Sequence, residues 1–323
     1  MSVSISDKSV LVTGGAGFIG SHLVDALVEA GAGRVAVVDS LFLGRRENLE
    51  AAESRMPELK FYHQDASDID AMRRIIAENE AEVAFDLAVI PLPTSLERPK
   101  WSVDQNVLIT TTLCELAREG AYQTLIHFSS SESFGSAQVV PMTEAHPLAP
   151  LTPYAASKAA GDHIVMSYCE AFGIDAAILR PFNNYGPRQN DQAYAGIIPI
   201  VANRVLAGEQ VEIFGDGEQT RDFIFVKDTA AAAIALYECE ATRGKDINVA
   251  SGRQTSINDL VRIILKAMNA EDHPVVHGPP RPADVRCHCG GIERAQKLFG
   301  FAPKTTLEEG MKVTIDWYKR KNA

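Results

Sequence analysis

The 323-residue chain reads as an α/β protein, a doubly wound parallel sheet with a smaller, mainly helical lobe. Three observations predict this. Short apolar runs alternate with helix-periodic segments through the first half of the chain. A glycine-rich turn joins the first such run to the first helix. After Arg180 the alternation stops, and Pro, Gly and Asn take over the punctuation.

The elements follow in order. SVLV, Ser9 to Val12, is apolar on both faces, as a buried parallel strand must be. A turn rich in glycine follows, then SHLVDALVEAG, helical in its spacing and closed by Gly31. RVAVV is a second strand ending at Asp39. Strand signals recur at Phe61–His63, Val83–Leu87, Thr124–Phe128 and Ala176–Leu179. Helical patterns lie before Glu80, over Val103–Arg118 and over Tyr154–Phe172. Crossovers of that length between strands imply parallel pairing.

PFNNYGPRQND then reads as loop. Beyond it lie a helix (Ile198–Leu206), a strand (VEIF), a loop (GDGEQTRD), a strand (FIFV) and an alanine-rich helix. The C-terminal part mixes helices with loops such as HGPPRPAD. The expected division is 1–180 for the sheet domain and 181–323 for the lobe, with parts of about 220–250 returning to the sheet domain.

Composition narrows the class. The chain is 46% apolar and 23% charged, ordinary for a soluble globular protein. A net charge of −11 argues against a general nucleic-acid surface, but leaves room for a phosphorylated small molecule. No apolar run approaches the roughly 20 residues that span a bilayer, and MSVSISDKSVLV does not read as a signal peptide. The five cysteines are odd in number and scattered, which fits a reducing cytoplasm. Cys287-His288-Cys289 is spaced too tightly for a usual zinc site, so no metal is expected.

Gly15-x-Gly17-x-x-Gly20 follows a strand, opens a helix and precedes an acid at the end of the next strand, which makes a Rossmann-type dinucleotide site. Gly14, Gly17, Phe18, Ile19 and Gly20 would bring backbone N–H groups and a helix start to the pyrophosphate. Asp39 can accept both ribose hydroxyls and would repel a 2′-phosphate, favouring NAD over NADP. Arg45 and Arg46 are the counter-signal. Further on, Tyr154 and Lys158 are four apart on one helical face. A lysine ammonium and a positive nicotinamide ring would favour the phenolate, which could take a proton from a sugar hydroxyl while hydride leaves the same carbon. The Y-x-x-x-K spacing alone is common by chance; downstream of a dinucleotide site it carries weight.

With these motifs the chain resembles, nearly end to end, the extended short-chain dehydrogenase/reductases, and among them the NAD-dependent nucleotide-sugar epimerases and dehydratases of UDP-glucose 4-epimerase-like type. VTGGAGFIGSHL looks like their cofactor fingerprint. The resemblance implies an adenine contact at Asp65 with Ala66 beside it. It implies a cofactor-lining strand end at Leu87 and Ala88, with Asp86 where relatives carry histidine. Asn106 matches an asparagine that supports the catalytic helix, and Asn106 and Pro181 complete the expected cofactor set with Tyr154 and Lys158. Asn183 and Arg221 fall at diphosphate-contacting positions, Arg281 at a second phosphate arginine and Asp284 at a ribose-binding acid.

In FSSSESFG the resemblance places Ser130 at the catalytic hydroxyl, with Phe134 replacing a motif tyrosine. Glu132 matches the glutamate that takes the C5 proton in dehydratases, although Ser131 stands where some of them carry an acid. The opposing reading is a loop carboxylate pointing away from the sugar. RPADVRCHCGGIERA has the spacing of epimerases and dehydratases and not of decarboxylases. In the aliphatic stretch IPLPTSLERP, Thr94 and Ser95 are the sugar hydrogen-bond candidates, and His288 falls where sugar size is limited in some 4-epimerases. The implied activity is transient NAD-dependent oxidation at sugar C4, with C4 epimerisation of a UDP-sugar as the first reading. The alternative is 4,6-dehydration with Glu132 as C5 base. A non-catalytic NAD-binding regulatory protein is the reading from another class, against which Ser130, Tyr154 and Lys158 tell. The resemblance also implies a homodimer formed through Val103–Arg118 and Tyr154–Phe172.

Overall fold

The computed structural model describes residues 3–191, 196–280 and 286–321. The chain begins with β1 (Ser9–Thr13), α1 (Phe18–Glu29), β2 (Arg34–Asp39), α2 (Glu50–Arg55), β3 (Lys60–His63), α3 (Ile69–Asn79) and β4 (Val83–Asp86). It continues through α4 (Leu92–Glu97), α5 (Pro99–Arg118), β5 (Thr124–Phe128), α6 (Pro153–Phe172) and β6 (Asp175–Pro181). Next come β7 (Asn183–Tyr185), α7 (Ile197–Leu206), β8 (Val211–Phe214), β9 (Thr220–Arg221), β10 (Phe223–Phe225), α8 (Val226–Glu238) and β11 (Asp246–Val249). The remainder holds β12 (Thr255–Ser256), α9 (Ile257–Met268), β13 (Val275–Gly278), α10 (Glu293–Phe299) and α11 (Leu307–Lys321).

Seven strands form one parallel sheet in the order β11-β6-β5-β4-β1-β2-β3. Strand order reverses between β1 and β4, so the crevice for a ligand opens at their carboxyl ends. Alternate residues feed two apolar layers. Val10, Val12, Val37 and Ile126 pack on the side of α1 and α8, with Leu23 and Leu236. Leu11, Val38, Leu125 and Ile178 pack on the side of α3, α5 and α6, with Met72, Leu113 and Val165. The period of two within β1 places its neighbours on opposite faces, and burial on both faces is why the strand is apolar throughout. A separate core joins α7, α9 and α11 through Val201, Leu260, Ile264, Met311 and Ile315, and forms the lobe.

Two local features differ from the pattern read along the chain. The segment read as loop after Arg180 contains β7, which pairs in parallel with β10, so the loop is stitched to FIF at three residues. A three-residue strand is too short to show periodicity. IPLPTSLERP contains α4, with Pro93 in its first turn, where proline costs no hydrogen bond. Residues 226–249 supply α8 and β11 to the large sheet, and α10 packs on β11 from the far end of the chain. Among the described residues no helix is long and apolar enough to cross a membrane.

Candidate active site

A cleft of about 1510 Å³ runs along the carboxyl ends of the sheet. Its floor is the glycine turn, where Gly14, Gly17, Phe18, Ile19 and Gly20 all line it. Gly14 has φ +64, and a Cβ there would stand 2.7 Å from Leu87 O. A Cβ at Gly20 would stand 2.1 Å from Gly14 O, so helix and turn touch backbone to backbone. Only glycine permits that approach.

Asp39 lies buried at the end of β2 beside this turn. Its carboxylate accepts from Ala16 N at 2.9 Å and Leu41 N at 2.8 Å. Burial pushes its carboxyl up, and these N–H donors pull it down. Asp65, Ala66, Leu87, Ala88 and Pro181 line the same cleft. The two arginines that could have held a 2′-phosphate have protein partners: Arg46 pairs with Glu53 and lies 4.6 Å over the Phe61 ring, and Arg45 reaches Asp191 at 3.5 Å. Asn106 does not line the cleft. It is buried, with its amide oxygen accepting from Ile90 N at 2.7 Å and its amide nitrogen donating to Ile90 O and Ser157 Oγ. Its polar atoms brace the segment after β4 against α6, which leaves none facing a cofactor.

Tyr154 stands at the start of α6, just after Pro153 and the Thr152 cap. Ser130 stands two residues past the end of β5, and its hydroxyl lies near enough to the Tyr154 phenol to act on it. Burial pushes the Tyr154 phenol up to about 12; Ser130 pulls it down and the Glu132 charge pushes it up. Lys158 is buried one turn along; burial pushes its ammonium down, and Asp86 and Asp162 push it up.

The neighbouring serines have other partners. Ser129 Oγ donates to Asp162 at 2.8 Å and Ser133 Oγ donates to Ser130 O at 2.7 Å. Phe134 packs against His146, Phe182 and the Arg180 guanidinium. Glu132 is half-buried and is among the residues that line the cleft. Burial pushes its carboxyl up, against the pull of Arg221.

Thr94 and Ser95, the hydroxyls expected at the sugar, are turned inward by α4 and do not line the cleft. Ser95 Oγ donates to Leu92 O at 2.6 Å and accepts from Tyr154 N at 3.1 Å. It therefore holds the start of the α6 helix in place. Pro91, Leu92 and Pro93 form the wall instead, with Gln105 and Trp101 from α5. Gln105 was missed because nothing in the sequence marks which face of α5 meets the cleft.

At the other end Asn183 lines the cleft and donates to Asp222 O at 3.2 Å. Arg221 sits on β9, where its charge acts on both Glu132 and His288. His288 is buried, 5.0 Å from the Phe182 ring, with Nε2 3.4 Å from Ser131 O. Burial and Arg221 push its imidazole down to about 4. Arg281 and Asp284 lie outside the described residues. Trp317, Arg320 and Lys321 close the cleft from the end of α11, a contribution that no motif announced.

Residues 11–314 match the family model described as GDP-mannose 4,6 dehydratase. The chain is 38% identical over 314 residues to a UDP-glucose 4-epimerase of Mycolicibacterium smegmatis, covering 97% of this chain and 99% of that one. The solved UDP-glucose 4-epimerase of Thermotoga maritima, in a complex with UDP-glucose, superposes with a TM-score of 0.90 at 33% identity, over 97% of this chain and 99% of the other. A dTDP-glucose 4,6-dehydratase of Streptomyces venezuelae, solved with NAD bound, gives a TM-score of 0.90 at 28% identity and 97% of both chains. The chain belongs to the extended short-chain dehydrogenase/reductase family of nucleotide-sugar epimerases and dehydratases.

Proposed function

We propose that this chain is an NAD-dependent nucleotide-sugar 4-epimerase acting on a UDP-sugar. One observation carries the reading: Ser130, Tyr154 and Lys158 line one cleft together with the glycine turn. The residues fit NAD. The backbone cradle at Gly14 and Gly20 admits no side chain, and the Asp39 carboxylate stands beside it. Gly14, Gly17, Phe18, Ile19 and Gly20 would hold the pyrophosphate, Asp39 a ribose, Asp65 and Ala66 the adenine end, and Leu87, Ala88, Pro181 and Lys158 the nicotinamide end. When bound, NAD supplies a hydride acceptor that later returns the hydride.

Ser130 grips the sugar 4-hydroxyl and passes its proton toward Tyr154 Oη. Tyr154 as phenolate accepts that proton, and the Lys158 ammonium stabilises the phenolate. The phenol then returns the proton to the C4 oxygen after the sugar has presented its other face. Asn183 and Arg221, with Arg281 and Asp284, would hold the nucleoside diphosphate, since guanidinium forks match phosphate oxygens. Gln105 replaces Thr94 and Ser95 as the polar group offered to the sugar from the α4–α5 side.

The exposed Leu108 on α5 and Phe172 at the end of α6 support pairing of two copies through these helices. The free cysteines support a reducing, cytoplasmic setting. The second reading, 4,6-dehydration, is favoured by Glu132, which lines the cleft, acts through its charge on Tyr154 and has its carboxyl raised by burial. Incubation with UDP-glucose in deuterated water separates the two. A C4 epimer free of solvent deuterium supports epimerisation. A 4-keto-6-deoxy product carrying deuterium at C5 refutes it.

A further inference from the structure

A single residue, Asp222, separates β9 from β10, and it has no exposure to solvent. A carboxylate so buried is costly unless donors surround it. Here they do. Oδ1 accepts from Ser251 N at 2.7 Å and from Ser251 Oγ at 2.6 Å. Oδ2 accepts from Gly252 N at 3.0 Å and from Gly290 N at 3.1 Å. Burial raises this carboxyl, and the same donors lower it. An apolar side chain would leave all four donors unpaired. An amide has one accepting oxygen, so donors would be left facing its NH₂ group.

The donors come from two distant segments. Ser251 and Gly252 lie in the turn between β11 and β12, where Gly252 takes φ +72. Gly290 lies on the segment that precedes α10, and a Cβ there would meet Ala250 Cβ at 2.5 Å and the Phe182 ring at 2.8 Å. The Asp222 backbone holds a third segment: its carbonyl accepts from Asn183 N at 3.1 Å and from Asn183 Nδ2 at 3.2 Å. One residue thus ties together β7, the turn after β11 and the segment around Gly290.

Each tied segment leads to the substrate end of the site. Asn183 lines the cleft. Arg221 precedes Asp222 in the chain and pairs with Thr255, just beyond the Ser251–Gly252 turn. His288 stands two residues before Gly290, with Nε2 3.4 Å from the carbonyl oxygen of Ser131, the neighbour of Ser130. Asp222 itself does not line the cleft. Its effect on a ligand must pass through the residues that it holds.

We propose that Asp222 is a positioning residue for the nucleoside diphosphate: its carboxylate sets the placement of Asn183, Arg221 and His288 relative to one another. The C4 chemistry at Ser130 and Tyr154 does not pass through it. The nature of the ligand rests on the function proposed above. In full-length Asp222→Asn, calorimetric titration with UDP should show binding weakened about tenfold, and KM for UDP-glucose should rise by about as much. The value of kcat should stay within about twofold of wild type, with NAD content unchanged. A role in stability alone would lower the amount of active protein, and so kcat, while UDP affinity and KM stayed at wild type; that result overturns the proposal. Weakened UDP binding in Asp222→Asn, with no turnover of any UDP-sugar by the wild type, leaves the positioning role standing and sinks the epimerase reading instead. Should Asp222→Asn fail to fold, Ser251→Ala removes the hydroxyl donor and keeps the backbone ones. UDP binding about threefold weaker in that variant supports the proposal, and wild-type affinity overturns it.

Discussion

Replacing Tyr154 by phenylalanine removes one oxygen from the site and tests the proposed chemistry most directly. With nothing bound, burial holds the Tyr154 phenol at about 12. At neutral pH that leaves roughly one molecule in 10⁵ as phenolate. Lys158 and a positive nicotinamide ring would have to lower the phenol by several units, at about 1.4 kcal/mol each. A positioned general base contributes about 10²–10⁴ in rate, so Tyr154→Phe should lose on the order of 10³ in kcat. The ring itself fills the same space, and Ser95 binds the backbone of residue 154 and not its side chain, so the helix start is undisturbed. The assay is chromatographic separation of UDP-glucose from its C4 epimer, alongside the NAD content of the purified protein. Turnover within tenfold of wild type would refute the assignment of Tyr154 as base. A loss of turnover accompanied by loss of NAD would show that the residue matters for binding instead.

Other outcomes follow from the same geometry. Asn106→Ala should destabilise the fold by about 2–4 kcal/mol, because it strips the partners from Ile90 N–H and C=O; urea unfolding measures this, and an unchanged midpoint contradicts the bracing role. Gly20→Ala forces a Cβ to within 2.1 Å of Gly14 O, so NAD carried through purification should fall at least about tenfold; full NAD content would count against the cradle. Glu132→Gln bears on both pH and mechanism. Burial raises the folded-state value of this carboxyl above its unfolded one, so its contribution to stability is present at low pH and is lost as pH rises through the folded value. The glutamine variant should therefore melt at or above the wild-type temperature at pH 8, with the difference shrinking toward pH 4. Its epimerisation should persist; a loss of about a hundredfold or more would favour C5 chemistry.

The sequence by itself determined the parts that depend on local pattern. The alternating strands and helices of the sheet, the glycine turn with Asp39 behind it, and the Tyr154–Lys158 pair on one helical face are each set by spacing over a few residues. Strand period, helix period and positive φ are properties of short segments, so they can be read from them. Tertiary structure decided where side chains point when the spacing permits either direction. Thr94 and Ser95 lie in a proline-rich stretch with no clear period, and only the packing of α4 against α6 turned them inward. Asn106 went to the Ile90 backbone because a buried amide must be satisfied wherever the neighbouring chain offers partners. Gln105 and Trp317 reached the cleft from helices distant in sequence. Glu132 sits in a 3₁₀ turn of four residues, too short to have a readable face. The contacts of Asp222 depend on the pairing of β7 with β10 and on the approach of Gly252 and Gly290. Such contacts join residues dozens of positions apart, and only the folded chain brings them together.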